Sequence, residues 1–144
     1  MIRCADVNDA AAVAELAILM WDSHMADELT EEFSQLLRSD NARIFLKYVD
    51  GQPIGFAQCQ LRRDYVEGTE TSPVGYLEGI FIKEQYRHHG YAKELLTACE
   101  AWVLSKGCRE FASDCELDNV GSLQFHLSMG FTEANRIICF TKKL

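Results

Sequence analysis

The chain has 144 residues, 48% of them apolar, and a formal net charge of −8, which fits one globular domain with a single buried core. The negative charge argues against nucleic acid as a partner, because binding to phosphate groups requires positive charge, and no apolar run resembles a membrane span or a signal peptide. We therefore expect one domain over residues 1–144, in the cytoplasm, with neither nucleic acid nor a membrane as partner.

The first quarter of the chain predicts one strand followed by two helices. Residues 2–5 form a short strand, and Asp6 or Asn8 then caps an alanine-rich helix that runs to about Met20. A second helix spans about residues 27–38. Its first turn carries several carboxylates, which interact favourably with the positive end of a helix dipole.

The middle of the chain predicts three strands. Residues 44–49 and 54–59 are apolar runs joined through Asp50-Gly51, a pair typical of a two-residue hairpin turn. A polar loop over residues 63–73 then leads into a third strand at residues 74–82, which we expect at the centre of the sheet.

The last part of the chain predicts alternating helices and strands. A helix over about residues 90–105 ends at Gly107, the usual place for a glycine that terminates a helix. A strand at 108–113, a helix over about 119–129 and one or two closing strands within 131–142 follow. The order β-α-α-β-β-β-α-β-α-β predicts an α/β fold in which helices flank a mixed central sheet.

The most informative motif is the basic turn Arg87-x-x-Gly90-x-Ala92, which joins the strand at 74–82 to the next helix. Its small residues let the backbone approach a phosphate group. The first amides of the helix have no acceptor within the helix and carry partial positive charge, and His88 and His89 add side-chain donors. An ordinary basic turn between a strand and a helix would have the same composition. The rest of the sequence is therefore needed to decide whether this turn binds a phosphate group.

This turn resembles the acetyl-CoA-binding motif of the GCN5-related N-acetyltransferases, which grips the pyrophosphate of the coenzyme. A second motif, Asn119-x-x-Ser122-x-x-x-His126-x-x-x-Gly130-Phe131, is similar to the helix that carries Asn, Ala and Tyr before Gly-Phe in many members. The predicted order of elements also matches that fold throughout. The resemblance implies acetyl-CoA as co-substrate, with contacts at Ile80, Ile82, Arg87, His88, His89, Gly90, Tyr91, Ala92 and Asn119, the last being alternatively a plain helix cap.

Two residues are candidates for proton transfer. Acetyl transfer needs a neutral nitrogen, yet a primary amine with a pKa of about 10 is only about 0.1% deprotonated at neutral pH, so the site must remove a proton. Glu78, within an apolar strand, is the candidate base, acting through water; the alternative is a structural carboxylate with a polar partner. His126 stands where the family usually has a tyrosine that protonates the coenzyme A sulfur, and it is either the acid or a packed histidine.

A longer segment narrows the resemblance within the family. The run Asp64-Tyr65-Val66-x-Gly68-x-x-x-Ser72-Pro73-Val74 looks like the same stretch of the bacterial aminoglycoside 6'-N-acetyltransferases of type I. The likeness continues at residues 19–21, 108–114 and 126–131 and covers nearly the whole chain. It implies acetylation of the 6'-amine of aminoglycoside antibiotics, hence resistance, and a homodimer joined through the C-terminal strands.

The same resemblance implies an antibiotic cleft lined by Trp21, Tyr65, Glu70 and Asp114 beside Glu78. The aromatic rings would stack on sugar faces, and the carboxylates would bind ammonium groups. Core packing of either ring, a solvated loop position for Glu70 and a turn cap for Asp114 are the alternatives.

The distribution of charge fits a polycationic acceptor. Residues 1–78 carry 14 acidic and 6 basic side chains, whereas residues 79–144 carry 8 of each. An acidic half attracts cations, although solubility alone would explain the same imbalance. An acetyltransferase for a polyamine or a peptide amine, and a non-catalytic acetyl-CoA-binding domain, are the competing interpretations. The complete turn at residues 87–92 together with Glu78 argues against the non-catalytic domain.

The six cysteines lie at positions 4, 59, 99, 108, 115 and 139 and form no CxxC pair. Most of them fall within apolar runs, which is typical of small buried side chains in a reducing compartment. A zinc site needs Cys and His at ligand spacing, so we expect no metal.

Overall fold

The computed structural model describes residues 1–21 and 25–144, and the strands within them form one mixed sheet that packs against helices on both faces. In chain order the elements are β1 (Ile2–Cys4), α1 (Ala10–Ala17), α2 (Ala26–Leu36), β2 (Ala42–Val49), β3 (Gln52–Arg62), β4 (Val74–Ile82), α3 (Tyr91–Ser105), β5 (Phe111–Ser113) and α4 (Val120–Ser128). The strands adjoin in the order β1-β2-β3-β4-β5, antiparallel except for the parallel pair β4–β5. The predicted α/β class is confirmed. None of the described helices is long and apolar enough to cross a membrane.

Asp6 caps the short 3-10 helix Val7–Asp9, which leads directly into α1. Its carboxylate accepts a 2.8 Å hydrogen bond from the Asn8 amide, and the Asp9 carboxylate accepts a 2.8 Å bond from the Asp6 amide. These reciprocal bonds satisfy amides that the start of a helix leaves free. Arg3 of β1 pairs with Asp9 at 2.7 Å and ties this cap to the sheet. The helix itself ends at Ala17, earlier than predicted.

β2 and β3 form the predicted hairpin. Asp50 and Gly51 both have positive φ angles, 50° and 76°, as in the type I′ turn, whose twist matches that of paired strands. β4 begins and ends where the sequence predicts, and it pairs antiparallel with β3 from Arg62 back to Gly55. The middle of the sheet is therefore built from three strands that follow one another in the chain.

The two faces of the sheet carry separate cores. α1 and α2 cover one face, where Leu29 and Phe33 pack around Phe56 of β3. α3 covers the other face, where the buried residues are Ile54, Ala57, Cys59, Leu77, Ile82, Leu95, Leu96, Cys99, Trp102, Val103 and Cys108. Full burial of one large apolar side chain stabilises the fold by about 1.5–3 kcal/mol. Three cysteines belong to this core and three are exposed. We expected most of the six to be buried, and half of them are.

β5 is much shorter than its neighbour. It pairs with β4 at three positions, ending with Leu77 opposite Ser113, whereas β4 continues to Ile82. Within the described ranges no other strand pairs with that side of β4, so residues 78–82 lie along an open edge. Of the strand predicted at 108–113, only Phe111–Ser113, which pairs with β4, forms a strand.

The prediction of a closing strand within residues 131–142 is wrong, because residues 129–144, all of them described, contain no strand. A strand requires a partner for its amides and carbonyls, and no strand of the described sheet pairs with this segment. The apolar side chains of this segment lie in water instead: Ile137 is 67% exposed, Ile138 79% and Phe140 87%. We refer to residues 131–144 as the C-terminal segment.

Candidate active site

A β-bulge in β4 sets the position of Glu78. The register pairs Gln58 with Gly79 but Cys59 with Leu77, so Glu78 is an extra residue of β4 without a partner in β3. A bulge of this kind interrupts the ladder, bends the strand and re-aims its side chains. The candidate base therefore lies where β4 passes the end of β5.

Glu78 is held in a two-pronged ion pair with Arg62 at the end of β3. Arg62 Nε and one terminal nitrogen donate to the two carboxylate oxygens of Glu78, each over 2.9 Å, and the side chains are 39% and 18% exposed respectively. Burial raises the pKa of Glu78 above its ordinary value of 4.5; Arg62 opposes that rise, and Asp114 adds a smaller one. Glu78 therefore does have the polar partner that the structural alternative requires. The pair is still in contact with solvent.

Tyr76 connects the two carboxylates. The Arg62 guanidinium carbon lies 3.4 Å from the centroid of the Tyr76 ring, and the Tyr76 hydroxyl donates a hydrogen bond to Asp114. Burial raises the pKa of Tyr76, and the hydrogen bond to Asp114 raises it further, so the phenol remains a donor. We call this continuous set of contacts, Asp114–Tyr76–Arg62–Glu78, the carboxylate network.

Sequence analysis does not identify Arg62 or Tyr76, because both depend on the register between β3 and β4. Strand alternation is the one available signal, since it places Arg62 on the same face as Phe56. The bulge that brings Glu78 to Arg62 has no local signature in the sequence.

Trp21 packs against the strand next to the base. A Cβ atom added at Gly79 would lie 3.0 Å from two ring carbons of Trp21, so the indole covers the backbone at that glycine. The ring also meets Phe56 edge-on, with centroids 6.3 Å apart. Trp21 is therefore partly a packing residue, as the alternative interpretation held, and it lies beside Glu78.

The loop between β3 and β4 carries Tyr65 and Glu70 in solvent. Tyr65 is 80% exposed, which excludes core packing, and its hydroxyl donates to Glu67 over 3.1 Å. Glu70 is exposed, and its amide donates to the Glu110 carboxylate over 3.0 Å. Tyr65 thus contacts its own loop and Glu70 contacts Glu110 just before β5. Trp21 instead packs on the residue after Glu78, and Asp114 is joined to Glu78 through the carboxylate network.

The same loop is docked on the C-terminal segment. A Cβ atom at Gly68 would approach the Ala134 Cβ to 2.5 Å, and Asn135 donates to Glu67 over 3.1 Å. Gly68 also has a φ angle of 82°, which favours glycine. The position of the loop therefore depends on the residues that follow α4.

The predicted coenzyme turn is tightly folded. His88 and Gly90 both have positive φ angles, 66° and 81°, which is unusual for a histidine. Arg87 Nε donates to the Ile82 carbonyl over 2.8 Å and joins the turn to the end of β4. The His89 ring lies 2.8 Å from the Arg87 carbonyl through Nδ1 and stacks on Tyr91, with centroids 5.4 Å apart. The turn thus leads directly into the first amides of α3, a helix of 15 residues.

Helix α4 follows β5 and begins just after Asn119. The Asn119 side chain accepts a 3.1 Å bond from the Ser122 amide and caps the helix, so the cap interpretation is confirmed for that side chain. His126 Nδ1 lies 2.7 Å from the Ser122 carbonyl, and Nε2 lies 2.8 Å from the Ser113 hydroxyl. Because a carbonyl only accepts, Nδ1 carries a hydrogen, and Nε2 faces the last residue of β5. The described residues contain no group of three or more His, Cys, Asp or Glu side chains that could hold a metal ion.

The sequence matches the profile of the acetyltransferase (GNAT) family over residues 11–131. Aminoglycoside N(6')-acetyltransferase type 1 of Stenotrophomonas maltophilia is 42% identical over 144 residues, which cover 99% of this chain and 93% of the relative. The enzyme of the same name from Acinetobacter haemolyticus is 42% identical over 130 residues, which cover 90% of this chain and 89% of the relative.

Solved structures agree with the sequence comparison. AAC(6')-Iy in complex with the bisubstrate analogue CoA-S-monomethyl-acetylneamine has a TM-score of 0.95 at 36% identity, covering 100% of this chain and 98% of that one. The apo structure of AAC(6')-Ig from Acinetobacter haemolyticus has a TM-score of 0.94 at 39% identity, covering 100% and 99%. Fold and sequence therefore agree from end to end, and the chain belongs to the acetyltransferase (GNAT) family and, within it, to the aminoglycoside N(6')-acetyltransferases of type 1.

Proposed function

We propose that this protein transfers the acetyl group of acetyl-CoA directly to the 6'-amino group of aminoglycoside antibiotics and so confers resistance to them. The observation that carries the proposal is the half-buried Glu78 at the bulge, with Asp114 beside it and an open strand edge next to it. A base for an ammonium group and a second carboxylate for a polycation thus lie together. Relatives that are 42% identical carry this activity in their name.

The coenzyme is assigned to the turn before α3 and to the open edge of β4. The amides that follow Gly90 would bind the pyrophosphate, since they are unpaired and positively polarised. The open edge of β4 at Ile80 and Ile82 would bind the amide-bearing arm of the coenzyme, beside the Arg87 side chain that already bonds the Ile82 carbonyl. Asn119, which caps α4, is assigned a further contact. The remaining contacts are assigned to side chains of the turn and the first turn of α3: Arg87, His88, His89, Tyr91 and Ala92.

The acceptor is assigned to the other side of the bulge. Trp21 already covers the backbone of Gly79, so its ring offers a flat surface beside Glu78. Asp114 is exposed and would bind a further ammonium group. Tyr65 and Glu70, on the exposed loop, would extend the contact to distal rings of the antibiotic.

The reaction balances in protons and bonds. The 6'-ammonium gives one proton, through water, to Glu78, whose pKa is raised above 4.5 by burial and thereby brought nearer to the task of a base. The freed nitrogen attacks the thioester carbonyl and forms the C–N bond, while a backbone amide of residues 79–82 binds the oxyanion. Collapse breaks the C–S bond, the thiolate takes up one proton, and the nitrogen releases its second proton to solvent.

His126 is assigned as the acid for the thiolate, through Ser113. In the imidazolium form Nε2 donates to the Ser113 hydroxyl, 2.8 Å away, and that hydroxyl passes its own hydrogen to the sulfur. Ser113 is the last residue of β5, opposite Leu77 and next in register to the bulge. The proton for the sulfur would then come through Ser113 of β5, and the base Glu78 would act from the neighbouring strand β4.

Two copies of the chain are assigned to a homodimer through the C-terminal segment. Ile137, Ile138 and Phe140 expose most of their surface to water in the single chain, and such a contiguous apolar segment is typical of an interface. Light scattering on the purified protein should give twice the mass of the chain. Ile138→Asp should give the mass of a single chain.

The compartment is assigned from the cysteines. All six are free thiols, and Cys59 and Cys99 are both fully buried. Free thiols persist where the medium is reducing, which supports the cytoplasm.

The function is tested by coenzyme A release from acetyl-CoA with four acceptors. Kanamycin and tobramycin offer a 6'-amine, a 6'-hydroxyl analogue lacks it, and spermidine is a polyamine without a sugar. Rapid release with the two 6'-amines and little with the other acceptors is the expected result. Release with spermidine alone would contradict the antibiotic assignment and leave the acetyltransferase class intact.

The base is tested in the same assay. Glu78→Gln should reduce turnover by about 10²–10⁴-fold, with a smaller effect on the affinity for acetyl-CoA. Glu15→Gln, at an exposed position on α1, is the matched control and should behave as wild type. Unchanged turnover of Glu78→Gln across the pH range would remove Glu78 from the role.

A further inference from the structure

We infer that Arg62 is the positioning residue of the proposed base: it is a resident counter-ion that keeps Glu78 ionised and oriented in the free enzyme. The inference rests on the proposed function only in taking Glu78 as the base. The observation behind it is that Arg62 is the one cation of the carboxylate network and pairs directly with Glu78. The test below separates the two ideas.

The geometry fixes the guanidinium in two independent ways. Its Nε and a terminal nitrogen reach both oxygens of Glu78 over 2.9 Å, so the carboxylate plane is aligned with the guanidinium plane. Its flat face lies on the Tyr76 ring, 3.4 Å from the centroid. A lysine ammonium, which is a point charge without a fork, would satisfy neither requirement in the same way.

The charge balance explains why a counter-ion is needed. Among residues 1–21 and 25–144, the titratable and charged groups that face Glu78 are Arg62 from β3, Tyr76 from β4 and Asp114 after β5. Tyr76 is neutral, so two carboxylates share one cation. Without Arg62, burial and the charge of Asp114 would both favour the protonated form of Glu78, and a protonated carboxyl group cannot accept a proton from the substrate.

Arg62 therefore acts through Glu78. It leaves the outer surface of the site negative, because only one of the two carboxylates is neutralised, and a polycationic acceptor is still attracted. The exposed fraction of the Arg62 side chain, 39%, keeps the pair in contact with solvent, so water can reach the carboxylate.

Arg62→Met tests this inference, because methionine keeps an apolar stem and removes the fork and the charge. The primary measurement is a carbon-13 NMR titration of the Glu78 carboxyl group in the free enzyme, with the signal assigned by its loss in Glu78→Gln. The midpoint should rise by about 1 pH unit or more, the usual effect of losing an adjacent opposite charge. The acid limb of kcat/KM for kanamycin should move to higher pH with it.

Arg63→Met is the matched control. Arg63 is the next residue, is exposed, and donates to Asn41 rather than to a carboxylate. Its replacement should move neither the midpoint nor the acid limb. Arg62→Lys, which keeps the charge without the fork, should raise the midpoint by less than Arg62→Met. Arg62→Gln, which removes the charge and keeps a polar side chain, serves as the test if Arg62→Met fails to fold.

The outcomes distinguish this inference from the proposed function. An unchanged Glu78 midpoint in a folded Arg62→Met variant, or in Arg62→Gln if only that folds, would overturn the role of Arg62. A raised midpoint in an enzyme that acetylates no aminoglycoside would support Arg62 as the counter-ion and contradict the proposed substrate. A raised midpoint with an unmoved acid limb would contradict Glu78 as the base, since activity would then not follow its ionisation, and the positioning role of Arg62 would fall with it.

Discussion

Replacing Gly79 with alanine should disturb the acceptor side of the site through a single methyl group. The added Cβ would lie 3.0 Å from two ring carbons of Trp21 and 3.3 Å from the terminal carbon of Met20. Both distances are shorter than ordinary van der Waals contact, so the indole must move by a few tenths of an ångström. It cannot move freely, because the ring is also packed edge-on against Phe56.

The cost follows from that restricted movement. Forcing a methyl group into a packed site destabilises a protein by about 1–3 kcal/mol, which corresponds to a fall in Tm of roughly 3–10 °C for a domain of this size. A shifted indole should raise KM for kanamycin by about 3–10-fold, since small misplacements of binding groups are costly. KM for acetyl-CoA should stay unchanged, because Gly79 faces Trp21 rather than the coenzyme turn.

Calorimetry and steady-state kinetics on two alanine variants provide the test. Gly121→Ala is the control, because a Cβ there meets only the Asn119 side-chain oxygen at 3.9 Å. It should be neutral or stabilise the protein by up to about 1 kcal/mol. If Gly79→Ala kept both the wild-type Tm and the wild-type KM for kanamycin, the packing of Trp21 on β4 would not be what fixes the acceptor site.

Three further predictions follow from contacts elsewhere in the chain. Asp114→Asn should raise KM for kanamycin about 10–100-fold, the value of one charge-assisted hydrogen bond, and a defect confined to acetyl-CoA would reassign the residue. Asp6→Ala should lower the free energy of unfolding by about 1 kcal/mol in urea denaturation, because the cap on the Asn8 amide is lost; unchanged stability would show that the cap is redundant. Arg3 lowers the pKa of Asp9 below its ordinary 3.8, so the pair stabilises the fold fully above that pH and less as the pH falls through the folded-state value. Arg3→Met should flatten the acid limb of unfolding measured from about pH 2 to 5, and an identical limb would exclude this pair as its cause.

The sequence predicts the fold best where the signal is local. The Asp50-Gly51 turn is recognisable because both residues tolerate positive φ, and Gly107 marks the end of α3 for the same reason. The strand predicted within residues 131–142 fails because an apolar run indicates only a capacity to pair, whereas a strand also needs a partner, and no described strand of this chain pairs with residues 131–144.

The site shows the same division between local and long-range information. Glu78 and the turn at residues 87–92 can be found from the sequence, because a lone carboxylate in an apolar strand and a small-residue turn are both visible there. Arg62 and Tyr76 cannot, since their contacts are created by the register of β3 on β4 and by the bulge. The coupling of the Tyr65 loop to the C-terminal segment at Gly68 and Ala134 is likewise a tertiary contact without a pattern along the chain.

The short ladder between β4 and β5 has a consequence for local stability. β2, β3 and β4 share long ladders in the middle of the sheet, whereas β5 is joined at three positions on its edge. Opening free energies are lowest where few backbone hydrogen bonds and contacts must be broken. The corner formed by β5 and α4, which carries Asp114 and His126, should therefore exchange its amide hydrogens with solvent before the β2–β3 hairpin does. That part of the site should open while β4, which carries Glu78, remains folded.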